Sequence, residues 1–140
     1  MSKRIKVAIA GLGSRGKDVY APTAKLFPDK MEIVAIADID PVKVSEVAKE
    51  YSVPESGCFS SAEKLLAQDK LADVMFITTQ DQQHVKHALP ALKKGYDILL
   101  EKPISPDLDE CRECVRVANE CRKKIVVCHV LRYTPYYTKL

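Results

Sequence analysis

No stretch of this sequence approaches the roughly 20 consecutive apolar residues that a membrane-spanning helix requires, and none of it is repetitive or of low complexity. A bilayer span, a disordered chain and a repeat architecture are thereby set aside. Basic residues form no block: 22 Lys and Arg are scattered among 19 Asp and Glu, for a net charge of +3. That distribution offers no polycationic footprint to nucleic acid or to an anionic membrane. An export signal is not expected either. The opening MSKRIKVAIAGLG has positive charges and then apolar residues, but Lys6 interrupts the run and glycines follow at once, so it reads as a strand. A soluble, cytoplasmic protein is expected.

Cysteine is present in an odd number, at positions 58, 111, 114, 121 and 128, and without an export signal reduced thiols are the default. Cys111 and Cys114 form a CxxC, a spacing that also occurs in metal and redox sites. The same two residues, with Val117, Ala118 and Cys121, fall at the three- and four-residue steps of one helix face. Packing as small apolar side chains is the expectation, and no metal. The rest of the composition, 46% hydrophobic and 29% charged over 140 residues, suits one domain with a proper core.

The order of elements follows from apolar runs and their punctuation. RIKVAIA (4–10) reads as a strand, closed by GLGSRG, and a helix is expected from about Ser14 to Phe27 with Pro22 as kink or early stop. MEIVAIAD (31–38) is a second strand. Asp40 and Pro41 suit an N-cap and first helical position, for a helix to about Tyr51. GCFS is a short third strand, after which Ser60 and Glu63 have capping-box spacing for a helix through Gln68. ADVMFITT (72–79) is the fourth strand, followed by a helix from Gln82 to Lys94 with Gly95 as its left-handed cap. YDILLE is the fifth. Ser105 and Pro106 are expected to cap a last helix, acidic early at Asp107, Asp109 and Glu110 and basic late at Arg122, Lys123 and Lys124, before a final strand KIVVCHV.

Strands and helices alternate, and the strands are continuous apolar runs, so a parallel sheet covered on both faces is implied. The expected fold is α/β, a doubly wound Rossmann sheet of order 3-2-1-4-5-6, with its ligand crevice beyond the carboxyl ends of the strands where the order reverses.

Gly11, Gly13 and Gly16 match G-x-G-x-x-G. The motif alone is weak, but here it follows a strand, opens a helix, and has Asp38 at the end of the next strand, near the spacing of an acid that binds a ribose. The first glycine permits a tight turn, the second lets backbone approach a pyrophosphate, and the third lets helix pack on strand. Turn amides from Gly11, Leu12, Gly13, Ser14, Arg15 and Gly16 then face the phosphates. Asp38 accepts ribose hydroxyls and repels a 2′-phosphate, and Ile39 supplies no compensating cation. NAD is therefore expected, with NADP the less favoured cofactor; Arg15 is the one nearby cation in the turn that contests this.

The fourth strand leaves through Thr78, Thr79 and QDQQH, and the fifth through Glu101, Lys102 and Pro103, so both ends reach the ligand rim. His84 is placed there as a candidate, whereas His87, one turn later, is expected on a solvated face. With these motifs on hand the sequence resembles the Gfo/Idh/MocA oxidoreductases, which include glucose-fructose oxidoreductase and inositol dehydrogenase. The resemblance runs from the glycine turn through Asp38, TTQDQQH and EKP to VVCHVLRYTPYY. It implies that Lys102 is the catalytic residue, near nicotinamide and substrate, and that Thr78, Thr79, His84, Glu101 and Lys102 lie at the cofactor. The family's Thr-Pro-Asn-x-x-His departs here at Gln80, which stands where proline would.

Chemically, oxidising a secondary alcohol requires the hydroxyl proton to leave as the carbon gives up hydride, and a nearby amine or ammonium can relay that proton or stabilise the oxyanion. Glu101 can orient the lysine or bind the nicotinamide ribose; Pro103 restricts the backbone. A surface strand end with an incidental ion pair is the plain alternative.

The resemblance further implies a second domain that shapes a sugar or polyol pocket. Residues 1–128 are thus expected to be the dinucleotide-binding domain and 129–140 the start of a truncated substrate domain, with the fragment alone inactive. As a whole, a dehydrogenase acting on a sugar, inositol or related hydroxy compound is expected, homo-oligomeric when full length. The competing reading is a non-catalytic module that senses a nucleotide or redox ratio.

Overall fold

The computed structural model describes residues 3–139; the expected ends at Met1, Ser2 and Leu140 lie outside the described residues. Six parallel strands, β1 (Ile5–Ala10), β2 (Met31–Ala37), β3 (Cys58–Phe59), β4 (Val74–Ile77), β5 (Asp97–Leu100) and β6 (Ile125–Val127), form one sheet in the order β3-β2-β1-β4-β5-β6. The expected doubly wound topology is therefore observed. The order reverses between β1 and β4, whose registers place Ala10 beside Ile77.

Alternation across the strands divides the core in two. Val7, Ile9, Ile33, Ile36 and Phe76 pack on one face with Leu12, Ala21 and Val47. Ala8, Ala10, Ala35, Ala37, Met75, Ile77, Ile98 and Leu100 pack on the other, under α3 (Ala62–Leu66), α4 (His84–Lys93) and α5 (Leu108–Glu120). Successive side chains of a strand point to opposite faces, so a strand apolar throughout serves both layers. Cys114, Val117 and Ala118 are buried on α5, and Cys121 packs beside them, as the helix-face reading requires.

Several local expectations are corrected. The first helix is split: a π-type segment Ser14–Tyr20 gives way at Ala21 and Pro22 to a short α1, Thr23–Leu26, because proline cannot donate in a helix interior. Asp40 does cap α2 (Pro41–Tyr51), accepting from the Val42 amide at 2.9 Å. For α3 the cap is Ser61, not Ser60, since the Ser61 hydroxyl accepts the Lys64 amide at 3.2 Å. Glu63, at the would-be capping-box position, turns instead to Lys86 and His87.

A short 3₁₀ turn (Asp81–Gln83) leads into α4, and Gly95 ends it at φ +92°. The cap of α5 is Asp107, which accepts from Asp109 and Glu110; Ser105 sits behind it, accepting the Asp107 amide. The basic trio falls past the helix end, with Arg122 left-handed at φ +52°. The last strand is only Ile125–Val127, after which the chain enters 3₁₀ turns at Val130–Tyr133 and Tyr137–Lys139. No helix among the described residues is long and apolar enough to cross a membrane.

Candidate functional site: a two-part cleft at the strand ends

The glycine turn is set by three different steric demands. Gly11 has φ +97°, and a Cβ there would lie 2.6 Å from the Thr78 carbonyl oxygen. A Cβ on Gly16 would lie 2.0 Å from the Gly11 oxygen, so helix and strand meet there without room for a side chain. Gly13 is the contrary case, with nothing within 4 Å of an added Cβ. That open space belongs to the cleft, and it is where backbone can approach a ligand.

The turn is stapled to the end of β4. The Thr78 amide donates to the Ala10 carbonyl at 2.9 Å and its hydroxyl to the Gly11 carbonyl at 2.6 Å. On the other side Asp38, just past β2, accepts the Leu12 amide at 2.6 Å on Oδ2 and the Asp40 amide at 2.9 Å on Oδ1. Its carboxylate is thus oriented by backbone before any ligand arrives.

Two adjoining hollows open from this frame. One, of about 190 Å³, is lined by Gly11, Gly13, Asp38, Ile39, Lys43 and His87 among others. The second, of about 250 Å³, is lined by Ser14, Arg15, Asp81, His84, Glu101 and Lys102. Gly13, Thr78, Thr79 and Gln80 border both, forming a ledge between the halves. A larger groove of about 490 Å³ lies beside Arg4, Glu32, Lys25 and Glu50. Those charges are paired with one another, and no residue of the glycine turn borders it.

Of the residues expected at the site, Leu12 and Gly16 border neither hollow. The Leu12 side chain is fully buried in the core and its amide is spent on Asp38; Gly16 is buried against the turn. Ile39 is 86% exposed at the rim. The expected contest between Arg15 and Asp38 is corrected. The Arg15 guanidinium is drawn to Glu101, at 2.7 Å, and the cation that shares a hollow with Asp38 is Lys43.

Glu101 is buried, with its carboxylate between Arg15, the Tyr20 hydroxyl and the Lys102 amide. Burial disfavours its charge, but the bonds from Tyr20 and Arg15 outweigh this and hold the carboxyl below its ordinary value. Tyr20 moves the other way: burial raises the phenol well above its ordinary value, and the neighbouring Cys128 and Glu101 add to the shift. Glu101 therefore holds the backbone at Lys102 by accepting its amide at 3.1 Å, while the Lys102 side chain stays exposed on the rim. The Lys102–Pro103 peptide is cis.

His84 is fully buried, with Nδ1 2.6 Å from the Pro103 carbonyl and Nε2 3.0 Å from the Thr79 carbonyl. It ties the exit of β4 to the exit of β5. The expectation for His87 is corrected: it is 2% exposed, not on a solvated face. Its Nδ1 lies 3.0 Å from the Thr79 hydroxyl and its Nε2 3.2 Å from Glu63. Sequence reading missed His87, Glu63, Lys43 and Tyr20. Lys43 was open to discovery, since it sits one turn into the helix that Asp40 caps.

A family model described as an oxidoreductase family with an NAD-binding Rossmann fold, GFO_IDH_MocA, matches residues 5–129. Inositol 2-dehydrogenase of Corynebacterium glutamicum is 29% identical over 141 aligned residues, covering 100% of this chain and 41% of that protein. Among solved structures, scyllo-inositol dehydrogenase from Lactobacillus casei, with bound NAD(H) and scyllo-inositol, superposes with a TM-score of 0.85 at 23% identity. That match spans 98% of this chain and 39% of the other. The WlbA dehydrogenase from Bordetella pertussis, in complex with NADH and UDP-GlcNAcA, gives 0.86 at 21%, spanning 98% and 40%. At such identity the likeness is one of fold. The chain spans about two-fifths of the length of these relatives. With the family model covering all six strands, the chain belongs to the Gfo/Idh/MocA oxidoreductases, as their NAD-binding Rossmann fold.

Proposed function

We propose that the two-part cleft binds NAD, and that the whole protein transfers hydride between it and a sugar, inositol or related hydroxy compound. The observation that carries this reading is the common address of three groups. Gly13, with room for a phosphate at its Cα, borders both hollows; Asp38 lines one and Lys102 the other. The residues fit a dinucleotide: a side-chain-free approach for the pyrophosphate, an oriented carboxylate for the adenosine ribose hydroxyls, and a cation at the far end.

When bound, the nicotinamide supplies the site that accepts or returns hydride. The chain's own residues do the rest. Lys102 stabilises negative charge on a substrate oxygen or takes up its proton. Glu101 fixes the backbone beneath it, and His84 holds the Pro103 carbonyl so that the lysine leaves the strand in one direction. The names of the similar inositol dehydrogenases support the substrate class.

Residues 1–128 serve as the cofactor domain and 129–140 as the lead into a second domain that completes the substrate pocket. Turnover then requires that further domain, and the full-length enzyme works as a cytoplasmic homo-oligomer on small molecules, without nucleic acid or membrane. The test is calorimetric titration of the 140-residue chain with NADH. Saturable binding that Asp38→Ala weakens about tenfold or more is expected. Absence of binding at millimolar NADH and NADPH refutes the reading.

A further inference from the structure

We propose that Glu63, acting through His87, fixes the Thr79 hydroxyl as a hydrogen-bond acceptor facing the cleft, so that this point selects a ligand hydroxyl over a phosphate oxygen. The inference rests on the dinucleotide reading above and names a polarity within it.

The argument follows the protons. Lys86 lies 2.7 Å from Glu63 Oε1, and its hydrogen bond is the main reason the Glu63 carboxyl is lowered to about 2. Glu63 is thus ionised at neutral pH and can only accept. His87 Nε2, 3.2 Å away, must then carry a proton. Burial pushes the His87 imidazole below its ordinary value, with Glu63 working in the opposite direction, so at neutral pH the ring is neutral and Nδ1 is a bare lone pair. The Thr79 hydroxyl, 3.0 Å from Nδ1, donates to it. A hydroxyl has one proton and two lone pairs, so what remains for the cleft is acceptor capacity only.

Thr79 stands on the ledge between the two hollows, beside Gly13 and on the way to Lys102. A dinucleotide laid from Asp38 to Lys102 brings its second ribose past this point, after the pyrophosphate. Ionised phosphate oxygens have no proton to offer Thr79; a ribose hydroxyl does. His87 and Glu63 are positioning residues here, since neither needs to touch the ligand.

Protonating His87 reverses the polarity, because Nδ1–H then donates to Thr79 and the hydroxyl proton turns toward the cleft. The charged and titratable groups around His87 are Glu63 from α3, Lys86 and His84 from α4, and Asp38 and Lys43 across the same hollow. With the ring's value lowered, the reversed state appears only on the acid side of the ordinary histidine range of about 6.5.

The test compares NAD⁺, ADP-ribose and ADP by calorimetry, because ADP lacks the second ribose. Thr79→Val is expected to weaken NAD⁺ and ADP-ribose about fivefold, the loss of one hydrogen bond, while leaving ADP unchanged and Thr79→Ser near wild type. On acidification the affinity for ADP-ribose should fall more in the wild-type chain than in Thr79→Val, a comparison on one ligand into which the titration of ADP's own terminal phosphate does not enter. His87→Leu should flatten that dependence. ADP binding at pH 7.5 reports that each variant is folded. Equal weakening of ADP, no effect of Thr79→Val, or an acid loss of ADP-ribose affinity as large in Thr79→Val as in wild type overturns the inference alone. Failure of the wild-type chain to bind any of the three ligands overturns the dinucleotide reading and the inference with it.

Discussion

The Arg15 guanidinium meets the Glu101 carboxylate at 2.7 Å, and that contact ties the glycine turn to the end of β5 across the lysine-bearing half of the cleft. Glu101 is 6% exposed at its side chain and Arg15 40%, so the pair is anchored in the interior from one side only.

Removing Arg15 leaves a buried carboxylate with Tyr20 and the Lys102 amide as partners. Breaking a fully buried pair costs about 3–5 kcal/mol; with Arg15 partly solvated and two partners retained, Arg15→Ala should cost about 1–2 kcal/mol in urea unfolding. The pH dependence has a definite sign. Because the folded Glu101 carboxyl titrates below its ordinary value, its contribution is complete above the unfolded glutamate value of about 4.3. It fades as pH falls through the folded value. Glu101→Gln should flatten the acid limb of the stability curve below about pH 4.3.

Gly13 and Gly16 should respond oppositely to alanine. At Gly13, φ is −68° and the space is open, so Gly13→Ala should leave stability within about 0.5 kcal/mol. Its methyl group fills the phosphate approach, and NADH affinity should drop about tenfold or more. At Gly16 the added Cβ would strike the Gly11 carbonyl, and Gly16→Ala should cost about 3 kcal/mol in thermal or urea unfolding.

Lys43 lines the same hollow as Asp38 and lies 3.9 Å from Asp40, so it is the cation expected to meet a 2′-phosphate once the repelling acid is gone. Asp38→Ser should reverse the preference toward NADPH, and adding Lys43→Ala should remove most of that gain, each step about tenfold in the ratio of dissociation constants. NADH and NADPH titrations on the single and double variants provide the check.

Lys102 is exposed and outside the core. Lys102→Met should change unfolding free energy by less than about 0.5 kcal/mol, as measured by urea unfolding. In the full-length enzyme the same change should lower turnover about 100-fold or more.

The sheet was readable in the sequence because its strands are apolar runs punctuated by glycine, proline and capping residues, and run length with punctuation needs no knowledge of partners. The glycine turn and Asp38 were readable for a related reason: their spacing is a local consequence of one βαβ unit. Caps were misplaced by one or two residues at Ser61 and Asp107 because neighbouring serines and aspartates compete for the same free amides, and only the loop path decides between them. The contacts that shape the cleft were hidden, since Arg15 to Glu101, Tyr20 to Glu101 and Glu63 to His87 join residues distant in the chain. His87 was assigned to solvent for the same reason: its burial depends on α3 lying against α4, which no pattern in α4 alone reveals.

Ala8, Ala10, Ala35 and Ala37 form a patch of methyl groups with no exposed surface, in one cluster with Leu65, Leu66 and Leu92. In this cluster β1 contributes only Ala8 and Ala10, and β2 contributes Ala35 and Ala37 beside the half-buried Val34, whereas β4 contributes Met75 and Ile77, so over β1 and β2 the space is filled from the covering layer rather than from the strands. A valine at Ala35 or Ala37 should press on α3, which packs against β2 and against α4, and so shift Glu63 relative to His87. The geometry behind the discrimination proposed at Thr79 thus depends on side chains too small and too deep for any ligand to meet.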